Sequence, residues 1–419
     1  MKRKFFELAF VVLILLGGLS IGSTLAAPAT TINVMTTTDE LNTDGDCSLR
    51  EAIKAAATQA AVDACPAGTG KNTINLPGGT STQKIYTLTI VGNDNTGAMG
   101  DLDTSTFLSI NGTESFQPIV EGGSAWSDRI FHITASTATL KNLVIRKGNV
   151  AGVGGGAHVD SGAKLTLDNV LITQNNATQD GAGVKNEGEL VVKGNTTFSQ
   201  NVAKSDGGAI FNSGTLTVTD SAFDSNQASS GSVSPTRGGA IFIESTGTAT
   251  LTRVTLTNNL ALIVGGSGYQ GGAIFNAGTL TLDTGTLSGN SAFAGAGIYA
   301  QGTLNVLNST LNGNSGTLGV AIYKKNSVLN LTNSTVSGNT INGAGALYHE
   351  SGTSNLNNVT ITNNSERGIF KTGGGTVTLK NSILAGNSQD CSGTLTSGGN
   401  NLLGNNINCA GLSAYPNNL

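Results

Sequence analysis

The stretch GGAIFN at residues 207–212 decides the fold, because close copies of it recur along the chain. Each copy is a segment rich in glycine and alanine that ends in an apolar residue. The copies lie at residues 181–184, 207–210, 238–241, 271–274, 295–298, 319–322 and 345–347. Counted from Val184, the apolar positions are separated by 26, 31, 33, 24, 24 and 25 residues. A repeat of this length predicts a solenoid rather than a set of independent globular domains.

A second signature has the same period. It consists of an apolar residue, a small residue two positions later, and then an asparagine. The repeated asparagines are Asn175, Asn201, Asn226, Asn259, Asn290, Asn314, Asn339, Asn364 and Asn387. We expect their side-chain amides to form a ladder at the coil corners, each bonding to the next coil. Glycine and asparagine suit such corners because a left-handed backbone is needed there.

Each repeat unit offers three short extended pieces. These are the GGAIFN piece, a Thr/Leu alternation such as residues 215–218, and a Ser/Thr-Leu piece that leads to the repeated asparagine. Three strands in a coil of roughly 24 residues predict an all-β parallel β-helix, in which each strand pairs with its equivalents one coil above and below. The two longest spacings predict loops at Ser229–Arg237 and Ile263–Gln270.

Charged residues are scarce and glycine is abundant. The 419 residues include 59 glycines, only 11% are charged, and the formal net charge is −4. A typical soluble protein carries roughly 25% charged residues and about 7% glycine. The shortage of lysine and arginine excludes an electrostatic surface for nucleic acid. It also leaves few ionisable groups on the coils, so we do not expect an active site there.

The first 26 residues have the organisation of a secretory signal peptide. A basic start at residues 2–4 precedes an apolar run at 8–16, and small residues lead to Ala26. We expect cleavage after Ala26 and a secreted or cell-surface protein with no membrane span after signal removal. An uncleaved membrane anchor is the alternative, and the short apolar run counts against it. The rest of the chain is divided into a cap segment at 27–80, β-helix repeats at 81–390 and a C-terminal tail at 391–419.

Four cysteines fit an oxidising destination, because they cluster in pairs at the two ends of the chain. We predict the disulfides Cys47–Cys65 and Cys391–Cys409 from among three connectivities. A zinc site is the alternative. It is disfavoured because the sequence has no Cys-x-x-Cys pair and its histidines lie far from any cysteine.

Residues 47–52 read Cys-Ser-Leu-Arg-Glu-Ala. This hexapeptide resembles the signature of the CSLREA-domain proteins, which are exported bacterial proteins in which it precedes a right-handed parallel β-helix. The repeats are also similar to those of polymorphic outer membrane proteins, whose Phe-x-x-Asn motif matches residues 198–201 and 223–226. The resemblance implies a right-handed, single-stranded β-helix with a pectin lyase-like fold.

Two interpretations compete for the segment around the hexapeptide. Ser48 and Glu51 have the spacing of a capping box ahead of a short N-terminal helix. A calcium loop of EF-hand spacing overlaps it. Its ligands would be Glu40, Asn42, Asp44, Asp46 and Glu51. We favour the cap because no helix precedes the loop; calcium is the only cofactor that the sequence suggests.

An aromatic residue follows the repeated apolar residue in seven coils. These residues are Phe211, Phe242, Phe275, Tyr299, Tyr323, Tyr348 and Phe370. Neighbours in a strand face opposite ways, so either the aromatic residues or the preceding apolar ones point outward. Three successive tyrosines need partners for their hydroxyls, which favours an exposed aromatic stripe that could stack on sugar rings.

These observations together predict a non-enzymatic, monomeric β-helix protein that acts in adhesion or structural display and binds glycans or surface proteins. A polysaccharide lyase or glycoside hydrolase acting on acidic polysaccharide is the alternative. Such an enzyme needs clustered ionisable groups on one face. The charge clusters at residues 185–189, 324–325 and 366–367 are interpreted as solvated surface groups, and Asp101 with Asp103 has only Asp128 and Arg129 nearby in sequence.

Overall fold

Parallel pairing between successive coils organises the chain. The computed structural model describes residues 29–92, 94–230, 235–263, 268–405 and 407–412. In this part of the chain, the strands pair in parallel with their counterparts in neighbouring coils and form three sheets. The predicted signal peptide lies outside the described residues, as do the centres of both predicted loops.

The widest sheet has 23 strands and contributes two strand segments to most coils. Its strands are Thr30–Asn33, Lys71–Asn75, Ile85–Leu88, Phe107–Asn111, Ile119–Gly122, Thr137–Arg146, Lys164–Thr173, Glu189–Lys193, Thr197–Ser199, Thr215–Asp224, Thr248–Thr257, Thr279–Asp283, Thr286–Ser288, Thr303–Leu307, Thr310–Asn312, Ser327–Thr332, Thr335–Ser337, Gly352–Asn357, Thr360–Thr362, Thr376–Lys380, Ile383–Ala385, Thr396–Ser397 and Leu402–Leu403. The predicted Thr/Leu and Ser/Thr-Leu pieces both lie in this sheet.

The second sheet has 13 strands and contains the GGAIFN-type pieces. Its strands are Leu102–Thr104, Phe131–Ile133, Ala157–Val159, Val184–Asn186, Ile210–Asn212, Ile241–Ile243, Ile274–Asn276, Ile298–Ala300, Ile322–Lys324, Gly345–His349, Arg367–Lys371, Gln389–Thr394 and Cys409–Ala410.

The third sheet has eight short strands, which the sequence did not predict. They are Asn149–Val150, Asn176–Ala177, Val202–Ala203, Gln227–Ser230, Leu260–Ile263, Ser291–Ala294, Ser315–Leu318 and Thr340–Ile341. All but the first follow a repeated asparagine, so most coils in the middle of the chain contain four short strands in three sheets.

A single apolar core runs along the inside of the solenoid. Alternation along each strand produces it: Leu216 and Val218 are buried, whereas Thr215 and Thr217 face outward. Because every coil repeats this alternation in register, the buried residues of successive coils stack into one continuous cluster.

The asparagine ladder is confirmed. The Nδ2 atom of Asn259 donates to Oδ1 of Asn290 at 3.0 Å, and Asn290 donates to Asn314 at 3.0 Å. The residue before each ladder asparagine has the left-handed backbone, as at Asn258 with φ 56° and Gly289 with φ 66°. The ladder asparagine itself therefore lies just after the corner, where its amide satisfies backbone groups of the bend.

A short helix, α1 (Leu49–Thr58), covers the first coils and confirms the capping box. Ser48 Oγ accepts from the Glu51 amide at 3.2 Å, and Glu51 Oε2 accepts from the Ser48 amide at 2.9 Å. Arg50 is buried; it bonds to the Asp39 carboxylate at 2.6 Å and to the carbonyl oxygen of Gly97 at 3.0 Å. These contacts attach the helix to the solenoid. No helix in the described ranges is long and apolar enough to cross a bilayer.

Both predicted disulfides, Cys47–Cys65 and Cys391–Cys409, are formed. Because no cysteine is free, the zinc–cysteine alternative is excluded. Parallel pairing begins at Thr30–Asn33 and continues to Cys409–Ala410, so it extends beyond the predicted repeat segment 81–390 in both directions. At the C-terminal end Asp390 Oδ1 accepts from Asn387 Nδ2 at 2.9 Å, which ends the asparagine ladder.

Candidate functional site

One row of side chains runs along the outside of the second sheet. Each member directly follows a core residue in its strand, so its own side chain points away from the core. Strand register aligns the members from coil to coil. This outer row consists of Asp103, His132, His158, Lys185, Phe211, Phe242, Phe275, Tyr299, Tyr323, Tyr348 and Phe370. The first four members form its polar half and the last seven its aromatic half.

The aromatic half is largely buried by its own stacking. Successive rings from Phe211 to Tyr348 are stacked with centroids 4.7–5.1 Å apart. Phe275 is 1% exposed and Tyr323 is 7% exposed, while Tyr348 and Phe370 are half-buried. The predicted outward direction is therefore right, but the predicted exposed stripe is wrong. Each ring covers the face of the next, which removes the faces that a sugar ring would need.

Side chains of other strands and turns complete this burial. Phe293 and Leu318 of the third sheet pack beside the rings. The Tyr323 hydroxyl donates to the Glu350 carboxylate, and the Tyr348 hydroxyl accepts from Thr372 at 3.1 Å. These tyrosine hydroxyls therefore have hydrogen-bond partners within the protein. The need for such partners was the reason to expect an exposed stripe.

The polar half lies within a cluster of ionisable groups from several coils. His132 Nδ1 is 3.1 Å from Asp103 Oδ1, and His132 Nε2 is 2.9 Å from Asp160 Oδ1. His158 stacks on His132 with ring centroids 5.2 Å apart, and its Nδ1 is 3.6 Å from the same Asp160 oxygen. Arg129 Nη1 lies 3.3 Å from Asp101 Oδ2. Although charged residues are scarce along the coils, this end of the solenoid brings several of them together.

Burial and neighbouring charges shift the pKa values of the groups in this cluster in different directions. Burial, with the charges of Asp103 and Asp128, raises the pKa of Asp101 to about 7. Burial alone would lower the pKa of His132, but hydrogen bonds to Asp103 and Asp160 outweigh it and raise that pKa. Burial, followed by the charges of Arg129 and His132, lowers the pKa of His158 to about 4. At neutral pH, His132 is therefore more readily protonated than its stacked neighbour His158.

Lysine and arginine side chains border the aromatic half. Lys185 is 8% exposed, and its Nζ lies 3.4 Å from the Phe211 ring centroid, within cation–π range. Arg237 lies 4.8 Å from the Phe242 centroid and pairs with Asp206 at 2.6 Å. The interpretation of Lys185 as a solvated surface group is wrong because the outer row packs it against a ring.

The same correction applies to Lys324, which is fully buried and donates to the Ser351 carbonyl oxygen at 2.5 Å. Burial lowers the pKa of Lys324 to about 8. His349, on the next coil, is also fully buried and bonds to Ser354 at 2.9 Å. This pair lies on the inner side of the sheet and is not part of the outer row.

In the predicted calcium loop, the carboxylate of Glu51 is already engaged in hydrogen bonds. Both Glu51 oxygens accept backbone amides: Oε1 from Asn42 at 3.0 Å and Oε2 from Ser48. Carboxylate oxygens of Glu40, Asp44 and Asp46 lie within 4.8 Å of one another. Their mutual repulsion contributes, after burial, to raised pKa values of Glu40 and Asp46. Calcium binding by the five-ligand loop stays a prediction.

Sequence reasoning missed the polar half, although the signal was present. Asp103, His132, His158 and Lys185 each follow an apolar residue at the repeat position that holds an aromatic residue further on. Extending the repeat toward the N-terminus from residue 181 would have placed all four in one row. Aromatic residues mark this position only from Phe211 onward.

Comparison with known proteins supports the fold. The family model described as the right handed beta helix region matches residues 129–311, which include His132, His158, Lys185 and the first four aromatic members of the row. No curated protein and no solved structure matches the chain. Together with the parallel sheets, the family match identifies the chain as an all-β, right-handed parallel β-helix.

Proposed function

We propose that the protein is an exported, non-enzymatic β-helix that attaches to neutral polysaccharide and acts in adhesion or display. The observation that carries this proposal is an uncharged array on the widest sheet, which we name the hydroxyl face. It consists of Thr255, Thr257, Thr286, Ser288, Thr310, Asn312, Thr335, Ser337, Thr360 and Thr362.

The hydroxyl face is two residues wide and five coils long. Register places each threonine directly above its counterpart, as for Thr286 with Thr310 and Thr335 with Thr360. The coils are about 4.8 Å apart, so the same group recurs at that spacing. A polymer of identical sugars can make the same weak contact at successive coils. Because the sugars are covalently linked, these contacts together bind more tightly than any one of them.

Several groups of the face remain available to a ligand. Among the described residues, the hydroxyls of Thr286, Thr310 and Thr335 have no protein hydrogen-bond partner. The absence of charge on the face favours neutral sugars over uronates, because no cation is present there to pair with a carboxylate. The hydroxyl face thus replaces the aromatic residues as the surface proposed to bind glycans.

Retention of the mature protein on insoluble cellulose and chitin tests the proposal. The variant Thr310→Lys/Thr335→Lys places two bulky charges at the centre of the face and is expected to lose most retention. Thr178→Lys is the matched control, since Thr178 is exposed on a turn outside the face. Equal retention of wild type and the double variant, or no retention of wild type on either polymer, would contradict the proposal.

A second candidate is cleavage of acidic polysaccharide at the polar half. The observation in its favour is a carboxyl group, Asp101, whose pKa of about 7 suits a general acid. Against it, the side chains of Asp101 and Asp103 are 4% and 2% exposed, so a substrate would meet mainly Asp160 and Glu187. Reducing-end and unsaturated-uronate assays on pectate test this candidate. If wild type cleaves pectate and Asp101→Asn does not, the second candidate replaces the first.

A further inference from the structure

We propose that His132, His158 and Asp160 form a binding site for a divalent transition metal, with zinc as the best match. One nitrogen of each imidazole and one carboxylate oxygen lie within 4.8 Å of one another. The three residues come from two neighbouring coils and one turn, so parallel pairing of the strands fixes their relative positions.

The distances suit a small tetrahedral ion. Zinc–ligand bonds of 2.0–2.2 Å in a tetrahedron place the ligand atoms about 3.3–3.6 Å apart. Asp160 Oδ1 lies 2.9 Å from His132 Nε2 and 3.6 Å from His158 Nδ1, which bracket that separation. Metal binding requires the two imidazoles to turn toward a common point from their parallel stack, in which the ring centroids are 5.2 Å apart.

Each imidazole has a carboxylate on the side away from the common point. His132 Nδ1 is 3.1 Å from Asp103 Oδ1. His158 Nε2 is 3.7 Å from Glu187 Oε2, and no described residue gives that buried nitrogen a hydrogen bond. A carboxylate behind a metal-binding histidine fixes its tautomer and strengthens it as a ligand. Here the arrangement directs one nitrogen of each ring toward Asp160.

The donor set and its exposure select the class of ion. Two imidazole nitrogens suit zinc, cobalt or copper, whereas calcium and magnesium prefer oxygen ligands. The side chains of His132 and His158 are 9% and 15% exposed, and that of Asp160 is 35% exposed. An ion can therefore enter from the Asp160 side, where a solvent molecule would complete the coordination.

The competing explanation is that a proton occupies the place of the metal. A protonated His132 between Asp103 and Asp160 would also hold the carboxylates together. The two explanations differ in a direct way: a proton-linked network needs no metal and gives no metal spectrum.

Cobalt titration of the metal-stripped mature chain, prepared without a polyhistidine tag, distinguishes them. We expect one Co²⁺ per chain with visible bands of a four- or five-coordinate ion, displaced by one equivalent of Zn²⁺. X-ray absorption of the zinc form should show two imidazole ligands. Zinc should also raise the melting temperature. Absence of stoichiometric binding, or an octahedral all-oxygen spectrum, would overturn the proposal.

Variants assign the site to these residues. His158→Gln and Asp160→Asn should abolish stoichiometric binding, and Asp103→Asn should weaken it by about 10–100-fold, as expected for an outer carboxylate. His158→Gln is the more informative variant because the residue has an unsatisfied nitrogen and its replacement should leave the fold intact.

Two matched controls test other places along the chain where a metal could bind. His349→Gln changes a fully buried histidine far along the solenoid, and Asp46→Asn changes the acidic loop near the N-terminus. Both are expected to bind cobalt as wild type does. Undiminished binding in His158→Gln and Asp160→Asn, or loss of binding in either control, would overturn the assignment.

Discussion

The polar and aromatic halves of the outer row share one sheet, one register and one direction, yet their side chains have different surroundings. In the aromatic half, each residue meets nearly the same residue one coil away, so identical rings stack and bury one another. In the polar half, His132 and His158 also stack, but stacking does not satisfy their ring nitrogens. Each ionisable group there needs a partner of different chemistry from a neighbouring coil or turn, as His132 finds in Asp103 and Asp160.

A repeated row can therefore be either a structural element or a binding site. In a row of identical apolar groups, each side chain packs against the next, so little apolar surface remains for a ligand. A row of different ionisable groups retains unsatisfied atoms, of which His158 Nε2 is one. Mutation of the aromatic half should therefore lower stability equally at all pH values, whereas mutation in the polar half should have an effect that depends on pH.

The largest effect is expected at the centre of the aromatic half. Phe275→Ala should lower the free energy of unfolding by about 3–5 kcal/mol, because it removes a buried ring and its two stacking contacts. The loss should be the same at pH 5 and pH 8, since the rings carry no charge. Chemical denaturation measures it. Phe116→Ala, at a ring that is 44% exposed, is the control and should change stability by less than about 0.5 kcal/mol.

A smaller and pH-dependent effect is expected in the polar half. Arg129→Met removes the cation beside Asp101, and at pH 8 the unpaired buried carboxylate should cost about 3 kcal/mol. The pKa of Asp101 is raised from 3.8 to about 7, so the folded state binds its proton more tightly than the unfolded state does. Stability contributed by this group is therefore lost as the pH rises toward and above 7.

The variant should therefore lose little at pH 5, where folded Asp101 is protonated. Asp103, Asp128 and His132 also face Asp101, so Asp101→Asn in the Arg129→Met background is the control, and it should remove most of the difference between the two pH values. An equal loss at pH 5 and pH 8 would show that Arg129 acts through packing alone.

The smallest effect is expected at the junction of the two halves. Lys185→Met keeps the packing of the side chain on Phe211 but removes the cation 3.4 Å from the ring centroid. Loss of a largely desolvated cation–π contact should cost about 1–2 kcal/mol. Thermal unfolding compares this variant with Lys193→Met. The Lys193 side chain is 49% exposed, so its replacement should leave stability unchanged. A gain in stability would show that burial of the Lys185 charge costs more than the contact contributes.

Much of the fold could be predicted because the repeat encodes it directly. The period, the alternation of Leu216 and Val218 with threonines, and the asparagine ladder all depend on neighbours at a fixed sequence separation. The cap was predictable for the same reason, since Ser48 and Glu51 are three residues apart. The third sheet was missed because its strands are short and carry no alternation that distinguishes them from a turn.

The polar half was less predictable because its members interact across coils of unequal length. Asp103, His132 and His158 are separated by 29 and 26 residues, and Asp160 belongs to a turn rather than to a strand. Spacing could have placed the first three in one row, but not the carboxylate between them.

The sequence by itself determined the parallel β-helix, the two disulfides and the residues that share a row, because these follow from a repeated local pattern and from the clustering of cysteines. The surroundings of each row, in contrast, depend on contacts that form only in the folded chain. Exposure of a row depends on ring stacking between coils and on packing from the third sheet, as Phe293 and Leu318 show beside the aromatic half. In the polar half, the fold brings Asp160 between two histidines, a contact that no local pattern specifies.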